Sequence, residues 1–254
     1  MNQIPTKSLA IVCLTLAAAS AAPIIQTSGI SFTGLDTEWQ ARARNFRNRA
    51  GTWKPIIFGD GGSTNNAFAV SSNSAWSVTG NTISGIFSLE YAQLGSGPGG
   101  SVRFKTGNHD ITNKNVGTDS GPGDSDGPLT NLFIDVVDNA QVVFSLTNLT
   151  LKYGKQTVLL PNLVTGSGAT VDSKQLMVGN LLPEFGQGFI LSGDYQMVSS
   201  VAVNKLSDES PRIDFKALSG GMVDNPVPEP ATWALIGGSL IGLGVYRKRQ
   251  HRRE

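Results

Sequence analysis

The chain has 254 residues, of which 39% are hydrophobic and 15% charged, with one cysteine and a formal net charge of +1. That charge sits at the ends. Setting aside six of the twenty basic residues (Lys7 and the five between Arg247 and Arg253) and one of the nineteen acids (Glu254) leaves fourteen against eighteen, about −4. A mildly acidic middle excludes the basic face that nucleic acid requires, so no nucleic-acid partner is expected.

Residues 1–21 read as a secretory signal. Lys7 supplies the positive start, and Leu9 to Ala19 (LAIVCLTLAAA) is an apolar or small-residue run too short to span a bilayer comfortably. Ala19 and Ala21 satisfy the small-x-small rule for cleavage after Ala21. Cleavage after Ala22 would place Pro23, with its fixed φ, directly beyond the scissile bond. Cys13 lies inside this leader, so the exported part has neither disulfide nor thiol nucleophile. Export without disulfides points to a bacterial secreted protein held together by its core. The body, residues 22–225, is long enough for one such core.

Early in the body, DTEWQARARNFRNRAGTW places Trp39, Ala43, Phe46 and Ala50 at helical spacing. Asp36 or Thr37 can cap that helix and Gly51 can end it. One short amphipathic helix is predicted, with Arg42, Arg44, Arg47 and Arg49 on its solvated faces; an arginine patch for an acidic polymer is the sharper alternative.

The rest of the body is rich in Gly, Ser, Thr and Asn, with short apolar runs between turn residues. That pattern predicts an all-β fold, a single jelly-roll-like β-sandwich. Strands are expected at 75–79, 82–91, 101–105, 131–137, 141–152, 157–160, 188–191, 195–203 and 212–216. In IFSLEY, Phe87, Leu89 and Tyr91 share one face and Ser88 and Glu90 the other. In VVFSLTNLTLK, Leu149 and Leu151 fall out of phase with Val142, Phe144 and Leu146, which predicts a bulge or turn near Asn148. Asp138-Asn139-Ala140, between two apolar runs, reads as a hairpin.

Catalytic chemistry has few places to sit. His109, the one histidine outside the C-terminal tail, lies in the polar stretch KTGNHDITNKN and reads as an exposed loop residue. A single histidine does not make the usual zinc set, and no G-x-S-x-G elbow marks a nucleophilic serine. Glu90, Asp135, Asp138 and Glu184 are available for a hydrolytic carboxylate pair, although ordinary solvent-facing positions account for them equally well. In GTDSGPGDSDGP, Asp119, Asp124 and Asp126 stand close together on a chain able to curl around a calcium ion, though without the spacing of an EF-hand. Calcium is therefore the one cofactor the sequence offers, against a solvated acidic loop.

The last thirty residues differ from the body. Val227-Pro228-Glu229-Pro230 is followed by an apolar or small-residue run, 231–246, and then by the basic tail 247–254. As a helix the run would cover about 24 Å, short of the ~30 Å hydrocarbon core. Snorkelling arginines and local thinning can close the gap. Trp233 and Tyr246 stand near its two ends, where interfacial aromatics belong, and Arg247, Lys248 and Arg249 are held on the cytoplasmic side. A transmembrane helix with the body outside is predicted. The two prolines keep the segment before it extended and open to a protease.

This three-part order resembles the PEP-CTERM sorting signal of Gram-negative bacteria, over residues 226–254. The resemblance implies recognition of Pro228, Glu229 and Pro230 by an exosortase, an integral-membrane cysteine transpeptidase. It implies a transient stay in the inner membrane, then release to the cell surface or the extracellular matrix, among exopolysaccharide and biofilm. The stretches WQARARNFRNRAGTWKPIIF and LTNLFIDVVDNAQVVFSLTNLTL resemble the choice-of-anchor type of extracellular domain, which brings no known activity. The expected protein is thus a non-enzymatic surface or matrix component. The alternatives are a carbohydrate-binding module stacking sugars on exposed aromatics such as Trp53 or Trp76, and a polysaccharide hydrolase.

Overall fold

A computed structural model describes residues 22–46, 55–60, 76–95, 100–107, 109–116, 127–166, 171–181, 183–206 and 211–221. The leader, Trp53, the segment holding Asp119, Asp124 and Asp126, and everything from residue 222 onward lie outside the described residues. Among the described residues no helix is long and apolar enough to cross a membrane.

Thirteen strands are described: β1 (Ile24–Gln26), β2 (Leu35–Ala43), β3 (Ile56–Asp60), β4 (Thr82–Gln93), β5 (Gly100–Thr106), β6 (His109–Val116), β7 (Leu129–Val137), β8 (Val142–Tyr153), β9 (Gln156–Leu159), β10 (Leu163–Val164), β11 (Ser173–Gly179), β12 (Gly188–Ser199) and β13 (Arg212–Gly220). One five-residue helix, α1 (Pro183–Gln187), precedes β12. They form two antiparallel sheets. The first runs β1-β11-β7-β13-β2-β3; the second runs β10-β8-β12-β4-β5-β6, with β9 also paired to β8. From β7 onward the chain crosses repeatedly between the sheets, so β7, β12 and β13 each lie between partners distant in sequence.

Alternation builds the core. Phe87, Leu89 and Tyr91 are buried while Ser88 and Glu90 between them stay half-exposed. Rings from the two sheets then meet. Trp39 of β2 stacks on Tyr91 of β4 at 5.6 Å and on Phe189 of β12 at 6.0 Å. Phe215 of β13 meets Phe87 and Phe104 at 5.6 and 6.2 Å. Each such pair adds roughly 0.5–1.5 kcal/mol beyond its area burial.

Over its described residues the predicted N-terminal helix is mostly a strand; Arg47, Arg49 and Ala50 lie outside the described residues. Residues 35–43 form β2, paired with β13 from Leu35↔Gly220 to Ala43↔Ile213. The predicted hairpin at Asp138-Asn139-Ala140 is also corrected. It is a crossover, because β7 belongs to the first sheet and β8 to the second. Hydrogen bonds fix the turn: the Gln141 amide donates to the Asn139 side-chain oxygen at 2.9 Å, and the Asp172 amide donates to the Asp138 carboxylate at 2.7 Å. The segments expected at 188–191 and 195–203 are mostly one continuous strand, β12. Of the segment expected at 75–79, the described part contributes only an isolated bridge at Thr79.

The irregularity expected near Asn148 is present. Ser192 pairs with Thr150 and Asp194 with Thr147, so Asn148 and Leu149 together face Gly193. Asn148 has φ 52°. Beyond it the inward set changes from Val142, Phe144 and Leu146 to Leu149, Leu151 and Tyr153. A Cβ on Gly193 would lie 2.9 Å from the Thr147 carbonyl oxygen and 2.8 Å from the Leu149 side chain, so the tight side of the bulge admits only glycine.

Candidate functional site

The sequence-derived candidates in the body disperse. Glu90 faces outward from the second sheet. Asp135 faces outward from the first, between the inward Ile134 and Val136. Asp138 is buried in the crossover and Glu184 is exposed on α1. Glu90 and Asp135 thus lie on opposite sides of the sandwich and do not form a hydrolytic pair. Burial raises the Asp135 carboxyl, the Ser173 hydroxyl lowers it, and Asp214 raises it.

His109 is not an exposed loop residue. It is the first residue of β6, points inward and is 1% exposed. Its ring meets Trp76 edge-on at 4.5 Å. Trp76, offered as an exposed sugar platform, is buried as well, at 4% exposure. It stacks on Phe46 at 4.5 Å and donates its ring N–H to the Arg44 carbonyl at 2.9 Å. Trp76 is a core ring and offers no face to a sugar.

Burial lowers the His109 pKa below its ordinary 6.5. The unfolded chain therefore binds more protons than the folded one as pH falls through the unfolded value. Stability is full above that value and declines below it. The melting temperature should fall on acidification from pH 7 to 5, and His109→Gln should flatten that decline. An unchanged slope in the variant would exclude His109 as its source.

The pronounced concavity among the described residues lies on the outer face of the second sheet. It is a groove of about 680 Å³ lined by Glu90, Ser101, Arg103, Asp110, Lys152 and Ile190, among others. Ala92, Ser101 and Gly188 are small and leave the space between the longer side chains open. Three of the groove's four charged side chains are linked. Arg103 donates from Nε and Nη2 to the two carboxylate oxygens of Asp110, both at 2.7 Å, and lies 3.9 Å from Glu90. The Ser88 hydroxyl donates to Glu90 at 3.1 Å. The hydrogen bonds with Asp110 raise the Arg103 pKa, and those with Arg103 lower the Asp110 pKa. A second concavity, of about 390 Å³, lies on the same face and is lined by Ser84, Ile86, Thr147, Asp194 and Gln196, among others. Hydroxyls and balanced charges suit a polar ligand. Sequence reading missed this groove because its residues come from five strands and gather only when the sheet forms.

Outside the described structure, residues 226–249 match the PEP-CTERM protein-sorting motif. The chain carries a PEP-CTERM sorting signal. The match covers Val227, Pro228, Glu229 and Pro230, Trp233 and Tyr246, and Arg247, Lys248 and Arg249. It marks an exported protein that is handed to an exosortase and sorted to the cell surface. No curated protein matches the chain.

Proposed function

We propose that this PEP-CTERM protein is a non-enzymatic component of the surface or extracellular matrix of a Gram-negative bacterium. Its leader exports it and its apolar segment holds it briefly in the inner membrane. After exosortase processing it associates with exopolysaccharide in biofilm. The observation that carries this reading is the sorting motif at 226–249. One feature of the body supports it. The carboxylates of the outer-face groove are tied up with Arg103 and Ser88 rather than poised for proton transfer. The groove also suits the second reading, carbohydrate binding, by hydrogen bonding rather than through a Trp76 platform.

Cell fractionation tests the proposal. Antibody to the body should find it at the cell surface and in cell-free exopolysaccharide, with a mass lower than that of the membrane form. Retention of the whole population at full mass in the inner membrane, with none in the polymer fraction, would overturn the reading.

A further inference from the structure

The outer face of the second sheet carries a repeat. Strand β4 reads Ile86-Phe87-Ser88-Leu89-Glu90 and strand β12 reads Ile190-Leu191-Ser192-Gly193-Asp194, the same isoleucine-x-serine-x-acid pattern. The two strands are antiparallel, and Ser88 pairs with Ser192. A local two-fold axis through that pair relates Ile86 to Ile190 and Glu90 to Asp194. The register then sets each isoleucine opposite a carboxylate, Ile190 against Glu90 and Ile86 against Asp194.

The two isoleucine–carboxylate pairs coincide with the two concavities: Ile190 and Glu90 line the larger, Ile86 and Asp194 the smaller. Equivalent residues are four positions apart along the strands, about 13 Å. The serine pair lies between them. Both isoleucines are exposed, Ile86 at 71% and Ile190 at 44%, on a face that is otherwise mostly polar. Both carboxylates are oriented by a neighbour. Glu90 accepts from Ser88, and Asp194 accepts from Nδ2 of the Asn148 side chain at 2.6 Å, which the bulge brings within reach.

We propose that this face is a two-subsite groove for an extended, neutral polysaccharide chain lying along the β4–β12 seam. The sugar class rests on the matrix reading above; the site rests on the repeat. An oriented carboxylate accepts from adjacent sugar hydroxyls through charge-assisted hydrogen bonds. Beside it, the isoleucine covers the apolar C–H face of the ring, as an aromatic would but with less area. Arg103 is neutralised by Asp110 and Glu90, and Lys152 stands on the same groove as those carboxylates. Within the larger groove two cations thus face two carboxylates, a balance that does not favour a polyanion there. Two equivalent subsites along one line fit a ligand that itself repeats, and engaging both raises avidity over either alone.

Calorimetric titration of the whole chain, purified in mild detergent, tests this with mixed-linkage β-glucan, galactomannan and dextran, and with alginate as the polyanion. At least one neutral polymer should bind. Glu90→Gln and Asp194→Asn should each weaken that binding about tenfold, and the double variant more. Ile86→Asn, on a mostly exposed side chain, should weaken it independently, with an unchanged melting temperature. Binding to no neutral polymer would overturn the proposal. So would binding to alginate alone, abolished by salt, or full affinity in the double variant. A chain that dimerises through this face, becomes monomeric with Ile86→Lys and binds no glycan would make it a protein interface instead. None of these failures bears on export or on processing at the sorting signal, so they leave the surface-sorting reading separately testable.

Discussion

Asp214→Ala is expected to lower the free energy of unfolding by about 3 kcal/mol, the low end of the range for removing one partner from a buried ion pair. Asp214 lies on β13, between β7 and β2 in the first sheet, and its side chain is 6% exposed. One carboxylate oxygen accepts from Arg42 Nε on β2, and the other from Arg212 Nε at 2.9 Å. Removing it leaves two guanidinium groups with one fewer anion on a largely covered face. The low end applies because both arginines keep partial access to water. Asp135, opposite on β7, supplies a comparison. Asp214 is one cause of its raised pKa, so Asp214→Ala should bring that pKa down. Urea unfolding measures the stability change, and NMR titration of the Asp135 carboxyl measures the second effect. The exposed Asp110–Arg103 pair serves as a control, since exposed pairs contribute little. A change no larger for Asp214→Ala than for Asp110→Ala would show that the three-residue network does not support the sheet.

Arg42 also shows how the sequence misleads. Trp39 and Ala43 are four apart, and four is close to one helical turn and also a multiple of the strand period of two. Their shared face therefore fits either structure. Ala41, also inward, is the residue that distinguishes them, and alanine carries little apolar signal. Phe46 completed the helical pattern at an odd spacing. It reaches the core instead because Asn45, at φ 57°, turns the chain. The arginines favoured the helical reading by propensity, but pairing with β13 and β3 outweighs that weak preference. Strand β6 was missed for the opposite reason. His109, Ile111 and Asn113 alternate inward, yet two of the three are polar, so hydropathy shows no strand. The bulge at Asn148 was legible because the phase of the apolar residues changes within one strand. The crossover after β7 was not, because turn residues between two apolar runs read alike whether the second strand joins the same sheet or the facing one. The sorting signal was legible because its three parts are contiguous in the chain, whereas the groove's parts are not.

Truncation before Val227 is expected to produce the largest change in behaviour, and a second variant separates its two causes. The truncated chain loses the apolar run 231–246 and the basic residues that follow it, so nothing in the signal remains to hold it in the membrane or present it for processing. It should leave the membrane fraction nearly completely and appear as soluble protein. Glu229→Gln with Pro228→Ala and Pro230→Ala keeps the apolar run, Trp233, Tyr246 and Arg247 to Arg249. It should therefore remain anchored, with its basic end cytoplasmic. Without the proline-flanked glutamate it should accumulate at full mass in the inner membrane. If anchoring and address were one property, the two variants would share a fate; the three-part order of the motif predicts opposite ones. Immunoblots of membrane, surface and medium fractions read both. Wild-type surface delivery of the truncated chain would place the sorting information in the body and overturn the role assigned to the tail.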